Sequence, residues 1–112
     1  MSEEDAALPG PEWTLACAVE EVPVGELKAV QTGEERIVLA NVDGDLYALE
    51  DRCSHQDFPL SAGELEGTRL ECTFHGAKFD VCTGRATQLP AVRPVRTFKV
   101  RVDQGNVYLR IP

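Results

Sequence analysis

Residues 51–91 read DRCSHQDFPLSAGELEGTRLECTFHGAKFDVCTGRATQLPA, and this stretch decides the fold. It is rich in Cys, His, Gly and Pro. Its strand candidates are short: Arg69–Cys72 and Lys78–Val81, with a turn after them at Thr83-Gly84. Within it stand Cys53-Ser54-His55 and, after sixteen intervening residues, Cys72-Thr73-Phe74-His75. Each half supplies one thiolate and one imidazole. Thiolates suit iron–sulfur clusters and zinc, whereas imidazole suits zinc, copper and iron. Cys53, His55, Cys72 and His75 are therefore the candidate metal ligands, carried on two loop tips that close a single site.

Two metals compete for this set. Structural zinc sites usually pair like with like, C-x₂₋₄-C with H-x₃₋₅-H. Here each half is mixed, and the first gap is one residue. A Rieske centre holds one iron by two Cys and the other by two His, which mixed halves provide. The spacing favours one [2Fe–2S] cluster. A structural zinc module used for protein binding is the alternative.

Outward from this insertion, both flanks read as strands. On the N-terminal side these are Trp13–Val19, Glu26–Gln31, Glu35–Asn41 and Leu46–Glu50. Val22-Pro23-Val24-Gly25 breaks the first pair, Thr32-Gly33 joins the second, and Asp43-Gly44 is a two-residue hairpin signal. A helical turn is allowed near Glu20. Ile37-Val38-Leu39 is a continuous apolar run that suits a buried strand. On the C-terminal side Val95–Val102 and Val107–Ile111 alternate around Gln104-Gly105-Asn106. Pro90 and Pro94 bracket a loop that cannot be a central strand. The expected fold is all-β: a sandwich or partly open barrel as base, with a small inserted cluster-binding subdomain over about residues 51–94. Residues 1–11 are expected to be a flexible acidic tail, and residues 12–112 one domain.

The motif stretch resembles Rieske ferredoxins. Cys53-Ser54-His55-Gln56-Asp57-Phe58-Pro59-Leu60 is similar to their first ligand loop. Leu60-Ser61-Ala62-Gly63-Glu64-Leu65-Glu66-Gly67 is similar to the link between the two loops. Cys72 through Asp80, with Thr83-Gly84 and Leu89-Pro90-Ala91, is similar to the second loop and its C-terminal extension. The resemblance is dense over 51–91 and thinner over the flanks. It implies two Cys held deep, two His near the surface, and one-electron transfer at the His-ligated iron. It also implies that Pro90 belongs to a third loop covering the cluster.

High-potential members of that family join their loops by a disulfide. Here Gln56, Asp57 and Phe74 stand where its cysteines would be. Those members also place two hydroxyls at the cluster, where this chain has Ala77 and Phe79. Hydrogen bonds to the sulfurs raise the potential. Without them the midpoint is expected toward the low end of the roughly −150 to +300 mV Rieske range.

The chain has 112 residues, one domain's length, and 11 basic against 19 acidic residues, a net charge of −8. That charge disfavours nucleic acid, whose phosphates need Lys and Arg. It suits transient docking on basic protein surfaces. No apolar run is long enough for a membrane span, and the acidic MSEEDAALPG has no apolar signal core. A cytoplasmic location is expected, where metal ligation is favoured over disulfides.

Both histidines of the chain lie in the motif. No 2-His-1-carboxylate oxygenase site can be assembled from what remains, and there is no dinucleotide-binding glycine pattern. The chain is therefore read as a non-enzymatic shuttle, resembling the ferredoxin component of aromatic-ring dioxygenase systems. Its expected partners are a flavoprotein NAD(P)H reductase and a terminal oxygenase. The small subunit of a nitrite-reductase-type system is the alternative electron-transfer reading. Of the remaining residues, Cys17 and Trp13 are expected to pack in the base, and Cys82 can be exposed. Phe58 and Pro59 are expected to shield the cluster. Glu64, Glu66 and Glu71 are either solvated or part of a docking face.

Overall fold

A computed structural model describes residues 13–53, 58–72, 76–89 and 93–111. Ten strands fill it: β1 (Trp13–Ala18), β2 (Leu27–Thr32), β3 (Glu35–Val42), β4 (Asp45–Glu50), β5 (Glu64–Glu66), β6 (Arg69–Glu71), β7 (Lys78–Asp80), β8 (Ala86–Gln88), β9 (Thr97–Asp103) and β10 (Asn106–Arg110). They make two antiparallel sheets. One is the six-stranded base, in the order β1-β10-β9-β4-β3-β2, which nearly closes into a barrel. The other is a four-stranded cap, β5-β6-β7-β8. The expected all-β base and inserted cap are thus what the chain forms.

Turn chemistry sets the register of the base. Asp43 and Gly44 both take positive φ, 53° and 99°, between paired Val42 and Asp45. This is the conformation a two-residue hairpin of matching twist needs. Asn41 pins it: its side-chain oxygen accepts from Gly44 N–H at 2.7 Å, and its amide donates to the Val22 carbonyl at 2.7 Å.

Three details depart from the sequence reading. Gln104 itself takes positive φ (51°), so Gln104-Gly105 forms the turn and Asn106 already pairs with Asp103 in β10. Thr32 stays in β2 paired with Glu35, which moves the turn to Gly33-Glu34. Val95 is not in β9, because its N–H donates to Gly84 in the cap, at 2.9 Å. The turn near Glu20 is a short 3₁₀ segment, Val19–Glu21.

β3 explains its own apolar run. Ile37 and Leu39 point into the barrel with Val22, Ala48, Phe98, Val107 and Leu109. Val38 and Ala40 point the other way, into a second cluster shared with the cap. A strand covered on both faces has no polar positions to alternate. β4 repeats the division, with Ala48 inward and Leu49 toward the cap.

β5 and β8 escaped the sequence reading. Each has three residues and one side chain on the packed face, too few for alternation to show. Pairing aligns Leu65, Leu70, Phe79 and Ala86 in one row across the cap. Leu70 and Phe79 are fully buried, and Leu65 and Ala86 pack against them. No helix among the described residues is long and apolar enough to cross a membrane.

Candidate metal centre

The site is built where cap meets base. Cys53 lies just past β4 and Cys72 just past β6, and both are buried, at 1% and 0% exposure. They share one apolar cluster with Val38, Leu49, Leu60, Leu70, Ala77 and Phe79. The backbone around them repeats. Cys53 N–H donates to the Phe58 carbonyl at 2.8 Å, and Cys72 N–H donates to the Ala77 carbonyl at 2.7 Å. Each candidate ligand loop is thus closed by one hydrogen bond spanning five residues, with its cysteine at the base.

Contacts outside the loops hold those bases in place. Asp51 N–H donates to the Arg36 carbonyl on β3 at 2.9 Å. The buried Asp51 carboxylate accepts both the N–H and the hydroxyl of Ser61, each at 2.7 Å. A 3₁₀ turn, Leu60–Ala62, buries Leu60 completely. Phe58 packs against the apolar cluster, and Pro59 beside it is half-buried. After β7 the Asp80 carboxylate accepts from Cys82 and Thr83 N–H, at 2.8 and 3.2 Å. Gly84 (φ 79°) lies so close to Val95 that a side chain there would overlap the Val95 carbonyl oxygen.

On the flank of the first loop, Arg96 makes a two-pronged hydrogen bond to Glu35, at 2.7 and 3.3 Å. It also lies over Phe98, 5.3 Å from the ring centre. The bond to Glu35 pushes the guanidinium further up from its ordinary value, so it stays charged. This exposed pair ties the residue before β9 to the start of β3 but contributes little energy.

The expected ligands fall into two groups. Cys53 and Cys72 are brought together in the same buried cluster. His55 and His75 lie outside the described residues, as do Gln56, Asp57, Phe74 and Pro90. All four cysteines carry free thiols, so none is spent on a disulfide. Cys17 is half-buried on β1 and packs against the barrel interior, and burial pushes its thiol up. Cys82 is exposed, and its side chain beside Tyr47 raises the phenol. Two buried thiols on matching loops, in dry apolar surroundings, are the soft, water-excluded donors that the inner iron of a cluster requires.

The profile of the Rieske [2Fe-2S] domain matches residues 12–99. The chain belongs to the Rieske [2Fe–2S] domain family. It carries one Rieske-type cluster. Among curated relatives, the ferredoxin component of biphenyl 2,3-dioxygenase from Rhodococcus jostii is 44% identical over 94 residues. That match covers 84% of this chain and 88% of the relative. The 3-phenylpropionate/cinnamic acid dioxygenase ferredoxin subunit of Escherichia coli is 42% identical over 98 residues, covering 87% and 92%. Among solved structures, the Sphingomonas yanoikuyae B1 ferredoxin superposes with a TM-score of 0.85 at 34% identity, covering 88% and 98%. A chain from the complex of reduced oxygenase and oxidized ferredoxin in carbazole 1,9a-dioxygenase superposes at 0.84 with 35% identity, covering 90% and 94%.

The Rieske fold accounts for the division of labour in this chain. The barrel supplies a rigid floor, β3 and β4 pass apolar side chains to both sides of it, and the cap holds the cysteines against the outer side. The residue the sequence reading missed is Asp51. A carboxylate next to a loop looks like any surface acid until its burial and its bonds to Ser61 are seen.

Proposed function

We propose that this chain is a low-potential one-electron carrier. It takes electrons from a flavoprotein NAD(P)H reductase and delivers them to a terminal oxygenase of the aromatic-ring dioxygenase type, in the cytoplasm. Cys53 and Cys72 would hold the inner iron, and His55 and His75 the outer one. Residues 12–112 would form the single Rieske domain, preceded by the acidic segment 1–11. One-electron exchange is the chemistry the cluster supplies when bound.

The observation that carries this reading is the pair of matched loops placing two buried thiols in one apolar pocket, in a chain of the Rieske family. The protein's own part is to bind, orient and exclude water. Leu60, Leu70, Phe79 and Val38 keep the cysteine side dry. Ala77 and Phe79 bring no hydroxyl to it, which supports a low midpoint. The net charge of −8 suits brief encounters with basic partners. The chain is a component of a multicomponent system and not itself a catalyst. Its relatives are ferredoxin components, and both its histidines lie in the ligand motif.

The test is anaerobic reconstitution, then redox titration and a coupled assay with a flavoprotein reductase and a ring-hydroxylating oxygenase. The reading expects a Rieske-type EPR signal, a midpoint below zero near neutral pH, and oxygenase turnover dependent on this chain. A clearly positive midpoint would remove the low-potential assignment. Turnover indifferent to its presence would remove the carrier role.

A further inference from the structure

The two ligand loops are connected by a continuous run of short contacts that bypasses the ligands themselves. It begins on β3, where the Arg36 carbonyl accepts from Asp51 N–H. It crosses from the Asp51 carboxylate to Ser61 by two hydrogen bonds of 2.7 Å. Two residues on, Gly63 is pressed against β6: a Cβ there would overlap the carbonyl oxygen of Glu71. Glu71 directly precedes Cys72, and Asp51 stands two residues before Cys53. The run therefore reaches from the base of one ligand loop to the base of the other.

Asp51 is one of two buried polar residues among those described, at 5% exposure; Asn41 is the other. A carboxylate held so deep is costly unless its oxygens accept hydrogen bonds. Both Asp51 oxygens do, and both bonds come from Ser61. A simple loop anchor would need one. Two bonds from one residue fix the orientation of the Leu60–Ala62 turn as well as its distance, and that turn presents Gly63 to Glu71.

We propose that Asp51 is a positioning residue for the cluster site, setting through Ser61 and Gly63 the separation of the Cys53 and Cys72 loops. It acts by accepting hydrogen bonds and not by its charge. The inference rests on the Rieske reading of Cys53 and Cys72. Groups that orient metal ligands from outside typically change metal retention about 10–100-fold when removed.

The experiment uses the full chain, reconstituted anaerobically with ferrous iron and sulfide, as wild type and as Asp51→Ala, Asp51→Asn, Ser61→Ala, Gly63→Ala and Asn41→Ala. Iron release to a chelator and the EPR g-values of the reduced protein are recorded. Asn can accept from Ser61 N–H and donate to its hydroxyl, so Asp51→Asn keeps the clamp and discards the charge. Asp51→Ala and Gly63→Ala are expected to release iron about tenfold faster or more, with displaced g-values. Ser61→Ala should fall between them and wild type. Asp51→Asn should stay within about twofold of wild type, with unchanged g-values. Asn41→Ala removes an equally buried side chain from the barrel, and it should lower the melting temperature without moving the g-values.

If Asp51→Ala does not fold, Ser61→Ala and Gly63→Ala decide alone. Wild-type g-values and release rates in both would overturn the proposal. So would an Asp51→Asn as impaired as Asp51→Ala, because charge would then be the cause. A wild type that takes up no cluster under the same protocol overturns the Rieske reading itself, an outcome visible before any variant is compared.

Discussion

The N–H of Cys72 donates to the carbonyl of Ala77 at 2.7 Å, which seats a fully buried methyl group at the foot of the second ligand loop. Phe79, two residues further along β7, is equally buried in the cluster that contains both cysteines. These are the positions where a hydroxyl would most directly change the electronics of the site.

Ala77→Ser and Phe79→Tyr are each expected to raise the midpoint potential. One added hydrogen bond contributes about 1 kcal/mol net. For a one-electron couple, where about 59 mV is a tenfold change, that is about 40 mV. Redox titration monitored by visible circular dichroism checks it. An unchanged or lower midpoint in both variants would contradict the assignment.

Leu39 and Leu49 form a matched pair. Both are fully buried leucines on neighbouring strands, but Leu39 faces the barrel and Leu49 faces the cysteines. Replacing either by Ala should cost about 2–5 kcal/mol of folding stability. Only Leu49→Ala should also speed loss of the cluster, because its cavity opens beside the site. Urea unfolding of each variant, with iron release measured in parallel, separates the two effects.

Gly84 and Gly25 both have φ near +80°, yet they differ in surroundings. A Cβ at Gly25 meets open space, whereas one at Gly84 runs into Val95. Gly25→Ala should cost only the left-handed backbone penalty, about 1–2 kcal/mol. Gly84→Ala should cost clearly more, and it should loosen the link between cap and β9. Equal midpoints in a denaturant series would show that the close approach relaxes freely.

Burial, with Glu21 adding to it, pushes the Cys17 thiol above its ordinary value near 9. The folded chain therefore keeps a proton that the unfolded chain releases. Stability from this group is full below about pH 9 and falls as pH rises through the folded value. Cys17→Ala should flatten the fall in melting temperature above pH 9 relative to wild type. Identical pH profiles would show that Cys17 does not contribute.

The acidic surface should matter for encounter. Coupled turnover at limiting carrier is expected to slow as salt rises from about 0.01 to 0.15 M, as the Debye length shrinks from about 30 to 8 Å. A rate independent of salt would leave the charge of −8 as a solubility feature.

Much of this protein was legible in its residues because the signals are local. The mixed Cys-His spacing needs no tertiary knowledge to favour two irons over zinc. Asp43-Gly44 forces a hairpin because few other residues accept positive φ. The apolar run in β3 announces a buried strand. What stayed hidden depends on partners distant in sequence. β5 and β8 place one side chain each on the packed face, so only the cross-cap row of Leu65, Leu70, Phe79 and Ala86 makes them strands. Val95 leaves the barrel for Gly84. Asp51 and Ser61, ten residues apart, carry no pattern that pairs them. The residues alone thus determined the candidate ligand set, the all-β class and the family. The tertiary structure decided how two loops become one site, because burial and hydrogen-bond geometry belong to neighbours in space.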